Sequence, residues 1–190
     1  MYFKTYKIHK TSQWSGGSTT ELFISPSDGN YSTLDFELRI SLAKVKVPKT
    51  NFTPLKGVLR KLMVLEGEII LKHENQHSKQ LKKFDVDSFN GSWNTTSIGQ
   101  STNFNIMSLG DLKSSLFGEK MSPERSAKID FDKKWSNLFI YVIRGCLEIE
   151  IKQKIILIES GCLIEIFRTE QISFITHSKL GCEIAILKTA

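Results

Sequence analysis

Hydrophobic and polar residues alternate with period two wherever this chain shows a readable pattern. In Phe36–Val45 (FELRISLAKV), Phe36, Leu38, Ile40 and Leu42 fall on one face of a strand, and Glu37, Arg39, Ser41 and Ala43 on the other. In Cys146–Lys152 (CLEIEIK), Leu147, Ile149 and Ile151 alternate with Glu148, Glu150 and Lys152 in the same way. Both read as half-buried antiparallel strands. Turn signals recur at Glu66–Glu68, Glu74–Ser78, Phe89–Trp93, Arg144–Cys146, Glu159–Cys162 and Lys179–Cys182. Short strands punctuated in this way predict an all-β sandwich or barrel. Two stretches, Gly110–Ser122 and Asp130–Leu138, carry a weak helical pattern, and the first is the natural boundary between two halves.

The halves repeat one layout. Lys61–His73 (KLMVLEGEIILKH) is an apolar strand, a glycine turn and a second strand; Leu138–Lys152 (LFIYVIRGCLEIEIK) has the same order, with Gly145 in the place of Gly67. A second strand–turn–strand unit follows each. This is the layout of a cupin-type double-stranded barrel, and its recurrence predicts an all-β bicupin with barrels at 1–110 and 111–190. The plainer alternative is that any all-β chain shows similar hairpins.

Length and composition narrow the picture. A chain of 190 residues with 40% hydrophobic and 24% charged residues buries a sizeable core and is not a disordered chain. Its apolar runs, such as Leu138–Ile143, are too short to span a bilayer as a helix, so no membrane association is expected. The N-terminus lacks the continuous apolar segment and cleavage site of a signal peptide, so a cytoplasmic location is expected. Cys146, Cys162 and Cys182 sit among aliphatic residues without C-x-x-C pairing and read as buried reduced thiols. The net charge is +6, yet the lysines are dispersed with no basic helix or stacking-aromatic motif, which argues against a nucleic-acid partner.

The chemistry is sparse. A metal-binding cupin strand carries His-x-His, because alternate residues on a strand can share one ion. The four histidines, His9, His73, His77 and His177, include no such pair. His73 and His77 fall in a polar turn between two strands and read as surface residues, so no metal or other cofactor is expected. Ser-His-Asp, phosphate-loop and dinucleotide motifs are also missing.

Taken together, QWSGGSTTELFISP, FELRISLAKV, FTPLKGVLRKLMVLEGEIIL, FDVDSFNGSW and TNFNIM, in that order and spacing, resemble the HutD/Ves family of small cupin-like proteins. The resemblance covers residues 12–110 closely and the second half through its layout. It implies a bicupin without the usual metal ligands and a link to bacterial histidine utilisation, in which the family member senses or restrains the pathway by binding a small metabolite. The opening WSGGSTTE departs from the longer asparagine and triple-glycine version of many relatives.

That opening is the first candidate site. Gly16 and Gly17 permit unusual backbone angles and close approach, Ser18, Thr19 and Thr20 supply hydroxyls, and Glu21 supplies a carboxylate. The turn can close one mouth of the first barrel, or it can be a tight structural turn with Trp14 plugging the barrel end. Arg39 and Ser41 share a strand face that points either into the lumen or into solvent. Arg60 and Glu66 lie at even spacing on another strand, as do Asn103, Asn105 and Met107. The second half has few polar residues on a shared face and reads as a filled, structural barrel.

The candidate ligand-binding set is therefore Trp14, Gly16, Gly17, Thr19, Thr20, Glu21, Arg39, Ser41, Arg60, Glu66 and Asn105. The expected partner is a small polar or anionic metabolite, and the expected role regulatory or accessory. An alternative is a metal-independent isomerase or hydrolase using Glu21 or Glu66 as base. A third reading is an interaction protein that pairs exposed strand edges in a homodimer and has no pocket.

Overall fold

The computed structural model describes residues 3–7, 9–123, 126–130, 134–151, 153–167, 171–176 and 181–190. His177 and part of the Lys179–Cys182 turn, both singled out above, lie outside these residues, as does part of the helical candidate at Asp130–Leu138. The alternating pattern resolves into strands β1 (Phe3–Tyr6), β2 (Lys10–Trp14), β3 (Gly17–Ser25), β4 (Leu38–Val45), β5 (Lys49–Asn51), β6 (Val58–Gly67), β7 (Ile69–His73), β8 (Ser78–Leu81), β9 (Val86–Asn90), β10 (Thr95–Ile98) and β11 (Ser101–Leu109). It continues through β12 (Ser114–Met121), β13 (Ser126–Asp130), β14 (Asn137–Arg144), β15 (Cys146–Ile151), β16 (Lys154–Glu159), β17 (Leu163–Phe167), β18 (Gln171–Thr176) and β19 (Cys182–Thr189). Among the described residues the only helical element is a short 3-10 turn at Tyr31–Thr33, and no helix is long and apolar enough to cross a membrane. The protein is all-β.

The chain divides into two units, Ile8–Leu112 and Lys113–Ala190 with Met1–Lys7. In the first, a six-stranded sheet of order β2-β3-β4-β11-β6-β9 accompanies a four-stranded sheet of order β5-β10-β7-β8. In the second, a five-stranded sheet of order β1-β17-β14-β19-β12 accompanies a four-stranded sheet of order β13-β18-β15-β16. The order β4-β11-β6-β9 matches β12-β19-β14-β17, and β5-β10-β7-β8 matches β13-β18-β15-β16. The match extends to backbone detail. Gly67 and Gly145 turn at φ 83° and 84°, and a bulge two residues before each, at Leu65 and at Ile143, shifts the register against β11 and β19. Only glycine takes this left-handed conformation without a Cβ penalty, so the same residue recurs at the same hairpin.

Two expectations change. The Gly110–Ser122 stretch holds strand β12, whose residues Ser114–Met121 all pair with β19; a full ladder outweighs a weak local helical preference. The first four described residues do not join the first half: Phe3–Tyr6 pair antiparallel with β17 at Leu163–Ile166, which covers an otherwise open edge of that sheet.

Each unit has its own apolar core. Leu138, Ile140, Val142, Leu147, Ile149, Ile164, Ile184 and Ile186 form most of the cluster in the second unit, so its interior is filled with aliphatic side chains. Cys162 and Cys182 belong to that cluster, and all three cysteines are free thiols. Burial pushes the Cys182 thiol up to about 12, which leaves it protonated and unreactive at neutral pH. In the first unit Leu62, Val64, Ile69, Leu71, Leu81 and Phe89 form one cluster, and Phe36, Leu55, Val58 and Met107 another.

Candidate functional site

Polar side chains gather where β4, β11 and β6 run side by side. The register places Arg39, Met107 and Arg60 in one row across these strands and Ser41, Asn105 and Leu62 in the next. Alternate residues of a strand share a face, and all six line one cavity of about 500 Å³, with Trp14, Thr19, Tyr31, Phe52 and Asn103 around them. That volume suits a small metabolite. Strand β4 is therefore buried on both faces: Leu38 and Ile40 are buried, and so are Arg39 and Ser41.

The two guanidinium groups are held differently. Arg39 donates from Nε to Glu21 Oε2 at 2.7 Å and from Nη1 to Ser41 Oγ at 3.3 Å, and it stacks on the Tyr31 ring at 4.2 Å. Arg60 lies over the rings of Phe52 and Phe89, at 4.7 and 5.2 Å, and has no carboxylate partner among the described residues. Burial, with the charge of Arg39 adding to it, pushes Arg60 down to about 10, so it is still a cation at pH 7. Further along β11, the Asn103 Oδ1 is buried with no hydrogen-bond partner.

The opening motif splits. Trp14 and Thr19 line the cavity. Gly16, Gly17, Thr20, Glu21 and Glu66 are not part of its lining. A Cβ at Gly16 would overlap the Trp14 ring, and a Cβ at Gly17 would overlap the backbone oxygen of Lys44. Both glycines are packing devices: one seats the indole, the other lets β3 approach β4. The Thr20 hydroxyl bonds Thr11 across the β2–β3 hairpin at 2.8 Å. Glu21 touches the site only through Arg39. Glu66 is exposed, because the bulge at Leu65 reverses the strand phase after Val64 and takes it off the face that Arg60 occupies.

Three residues important to this geometry lie outside the expected set. Tyr31 and Phe52 come from the short turn after Asn30 and from the segment after β5, where no periodicity marks them. Asn103 continues the alternation of Asn105 and Met107, a signal that was legible. His73 is a correction: it is no surface-turn residue but is 3% exposed, between Thr95 and Asp87. Burial holds its imidazole below the ordinary value despite the carboxylate beside it.

A cupin metal centre does not fit the cavity. Its lining contains no histidine, cysteine or carboxylate, and two guanidinium groups repel a cation.

Similar folds are known. A conserved protein of unknown function from Pseudomonas aeruginosa is 17% identical, with a TM-score of 0.83 over 100% of this chain and 99% of that one. HutD from Pseudomonas fluorescens is 14% identical, with a TM-score of 0.71 over 99% of both chains. A bacterial pirin from Escherichia coli, solved in complex with nickel(II), is 11% identical, with a TM-score of 0.71 over 98% of both. At these identities the likeness is one of fold, and the fold is cupin-like. No curated protein matches the sequence. The HutD family model, however, matches residues 6–179, which include every residue of the cavity, and the chain belongs to the HutD family.

Proposed function

We propose that the first unit binds a small carboxylate-bearing metabolite, and that the protein serves histidine utilisation as a regulatory or accessory binding protein. The observation that carries this reading is Arg60, a buried cation in a cavity whose lining holds no carboxylate, with no carboxylate partner among the described residues. A buried charge without a partner is costly, and an anionic ligand removes that cost. Arginine's planar fork suits a carboxylate held by two parallel hydrogen bonds. At about 3.4 Å per residue, Asn103 lies roughly 14 Å along β11 from the arginine row at Met107. An unpaired amide oxygen there asks for a donor, so the ligand is an elongated molecule with an acid at one end and an N–H or O–H at the other.

The enzymatic alternative is less well supported. Glu21 is engaged by Arg39 and Glu66 is off the cavity, so neither stands as a general base. We also read each unit as one cupin-like barrel, the bicupin arrangement, on the strength of the repeated strand order.

Calorimetric titration with urocanate, histidine and formylated or formimino glutamates tests the reading. One of these should bind, and Arg60→Lys should weaken it by about 1.5–3 kcal/mol, the worth of a charged hydrogen bond, with the melting temperature nearly unaltered. Equal affinity in parent and variant would remove Arg60 from the site.

A further inference from the structure

Beyond the arginine cavity, three side chains from three places in the first unit converge on one point. His73 ends β7, His77 closes the turn before β8, and Asp87 comes from β9 in the other sheet. Asp87 Oδ2 is 3.1 Å from His73 Nε2 and 3.2 Å from His77 Nε2. One ligand atom from each lies within 4.8 Å of the others. None of the three lines the cavity.

We propose that His73, His77 and Asp87 form a binding site for one divalent transition-metal ion of the zinc–nickel class. Two imidazole nitrogens and a carboxylate oxygen make a ligand set of borderline softness, suited to Zn²⁺ or Ni²⁺ and poorly suited to Ca²⁺ or Mg²⁺. Metal–ligand bonds of about 2.0–2.1 Å in a tetrahedron put ligand atoms about 3.3 Å apart. The two nitrogen–oxygen separations, 3.1 and 3.2 Å, are close to that edge. His77 is exposed, which gives an ion a path of entry and leaves water a remaining coordination position.

The surroundings hold the ligands in the orientation a metal needs. The Thr95 hydroxyl donates to the backbone oxygen of Trp93 at 3.2 Å. Its oxygen lies 2.8 Å from His73 Nδ1; with Nδ1–H donating to it, the Nε2 lone pair is available to an ion on the Asp87 side. A histidine ligand fixed through its far nitrogen is the usual second layer of a metal site. Asp87 Oδ1 accepts the backbone N–H of Ser88 at 2.9 Å. The turn itself is closed by the His73 N–H donating to the His77 carbonyl at 2.8 Å, so the two imidazoles are held as neighbours by the main chain. His73 Nε2 and Asp87 Oδ2 stand at hydrogen-bond distance, and a bound metal ion takes the place of the proton between them.

The test uses untagged, chelator-treated full-length protein and ZnCl₂. Equilibrium dialysis with elemental analysis should return about one Zn²⁺ per chain, and Zn²⁺ should raise the parent's melting temperature by mass action. His77→Ala removes an exposed ligand and should leave the metal-free melting temperature unchanged, while affinity falls tenfold or more and the zinc-induced rise disappears. Asp87→Asn should weaken binding likewise; if that variant does not fold, His77→Ala alone decides. A parent that takes up no Zn²⁺, or a His77→Ala variant that binds it as the parent does, overturns the proposal.

Discussion

Arg39 and Arg60 occupy the same row of the same sheet, yet among the described residues only Arg39 has a carboxylate partner. Glu21 neutralises Arg39 and fixes its plane through a 2.7 Å contact, so Arg39 is a positioned donor, and Arg60 is the group that stands to gain most from an anion. The opening glycines show the reverse relation between sequence and role. Their permissiveness suggested ligand contact, and their surroundings assign them to packing. Gly17→Ala is therefore expected to destabilise the fold by about 1–3 kcal/mol, the range for forcing extra volume into a packed site, and to leave affinity per folded molecule unchanged. Denaturant midpoints paired with calorimetry on the folded fraction measure the two effects separately. Glu66 teaches a related lesson. Its even spacing from Arg60 held as arithmetic, but one bulged residue at Leu65 placed it on the opposite face.

At the scale of elements, period two was the dependable signal because a side-chain alternation survives whatever the strand packs against. The repeat was visible for the same reason: Gly67 and Gly145 each need a left-handed turn, and few residues meet that need. Strand β12 shows only a weak helical pattern in the sequence because what fixes it as a strand, its ladder partner β19, lies far along the chain. Glu165 on β17 shows how neighbouring strands act on one residue. It is 5% exposed and accepts from Tyr6 Oη on β1 at 2.8 Å and from Asn137 Nδ2 on β14 at 3.1 Å. Burial nonetheless raises its carboxyl above the ordinary value of 4.5. A carboxyl raised in the folded state contributes stability that is fully present below its unfolded value and is lost as pH rises through the folded value. Glu165→Gln keeps an oxygen to accept from Asn137 Nδ2, can donate its amide N–H to the Tyr6 oxygen in place of accepting from it, and does not titrate. Its melting temperature relative to the parent should therefore climb as pH rises above the ordinary carboxyl value of 4.5, and a flat difference across thermal melts there would contradict this account.

For the whole molecule, the placement of β1 makes the second unit depend on both ends of the chain. Removing residues 1–7 takes away the ladder on Leu163–Ile166 and the Tyr6–Glu165 bond. Hydrogen exchange should accelerate at the β17 amides that β1 covered, while the amides of β4, β6 and β11 keep their protection. Equal loss of protection in both units would show that they do not unfold as separate bodies. The all-β class, the repeated hairpins, the family and the arginine-bearing strands of the cavity were all present in the sequence, because each depends on alternation, on a glycine at a turn or on a local motif. The pairing of Arg39 with Glu21, the lack of a carboxylate partner for Arg60 among the described residues, the packing of Arg60 against the rings of Phe52 and Phe89, and the meeting of His73, His77 and Asp87 were decided by tertiary structure alone. These depend on strand register and on which loops meet across two sheets, and such distances between residues far apart in the chain leave no periodic trace along it.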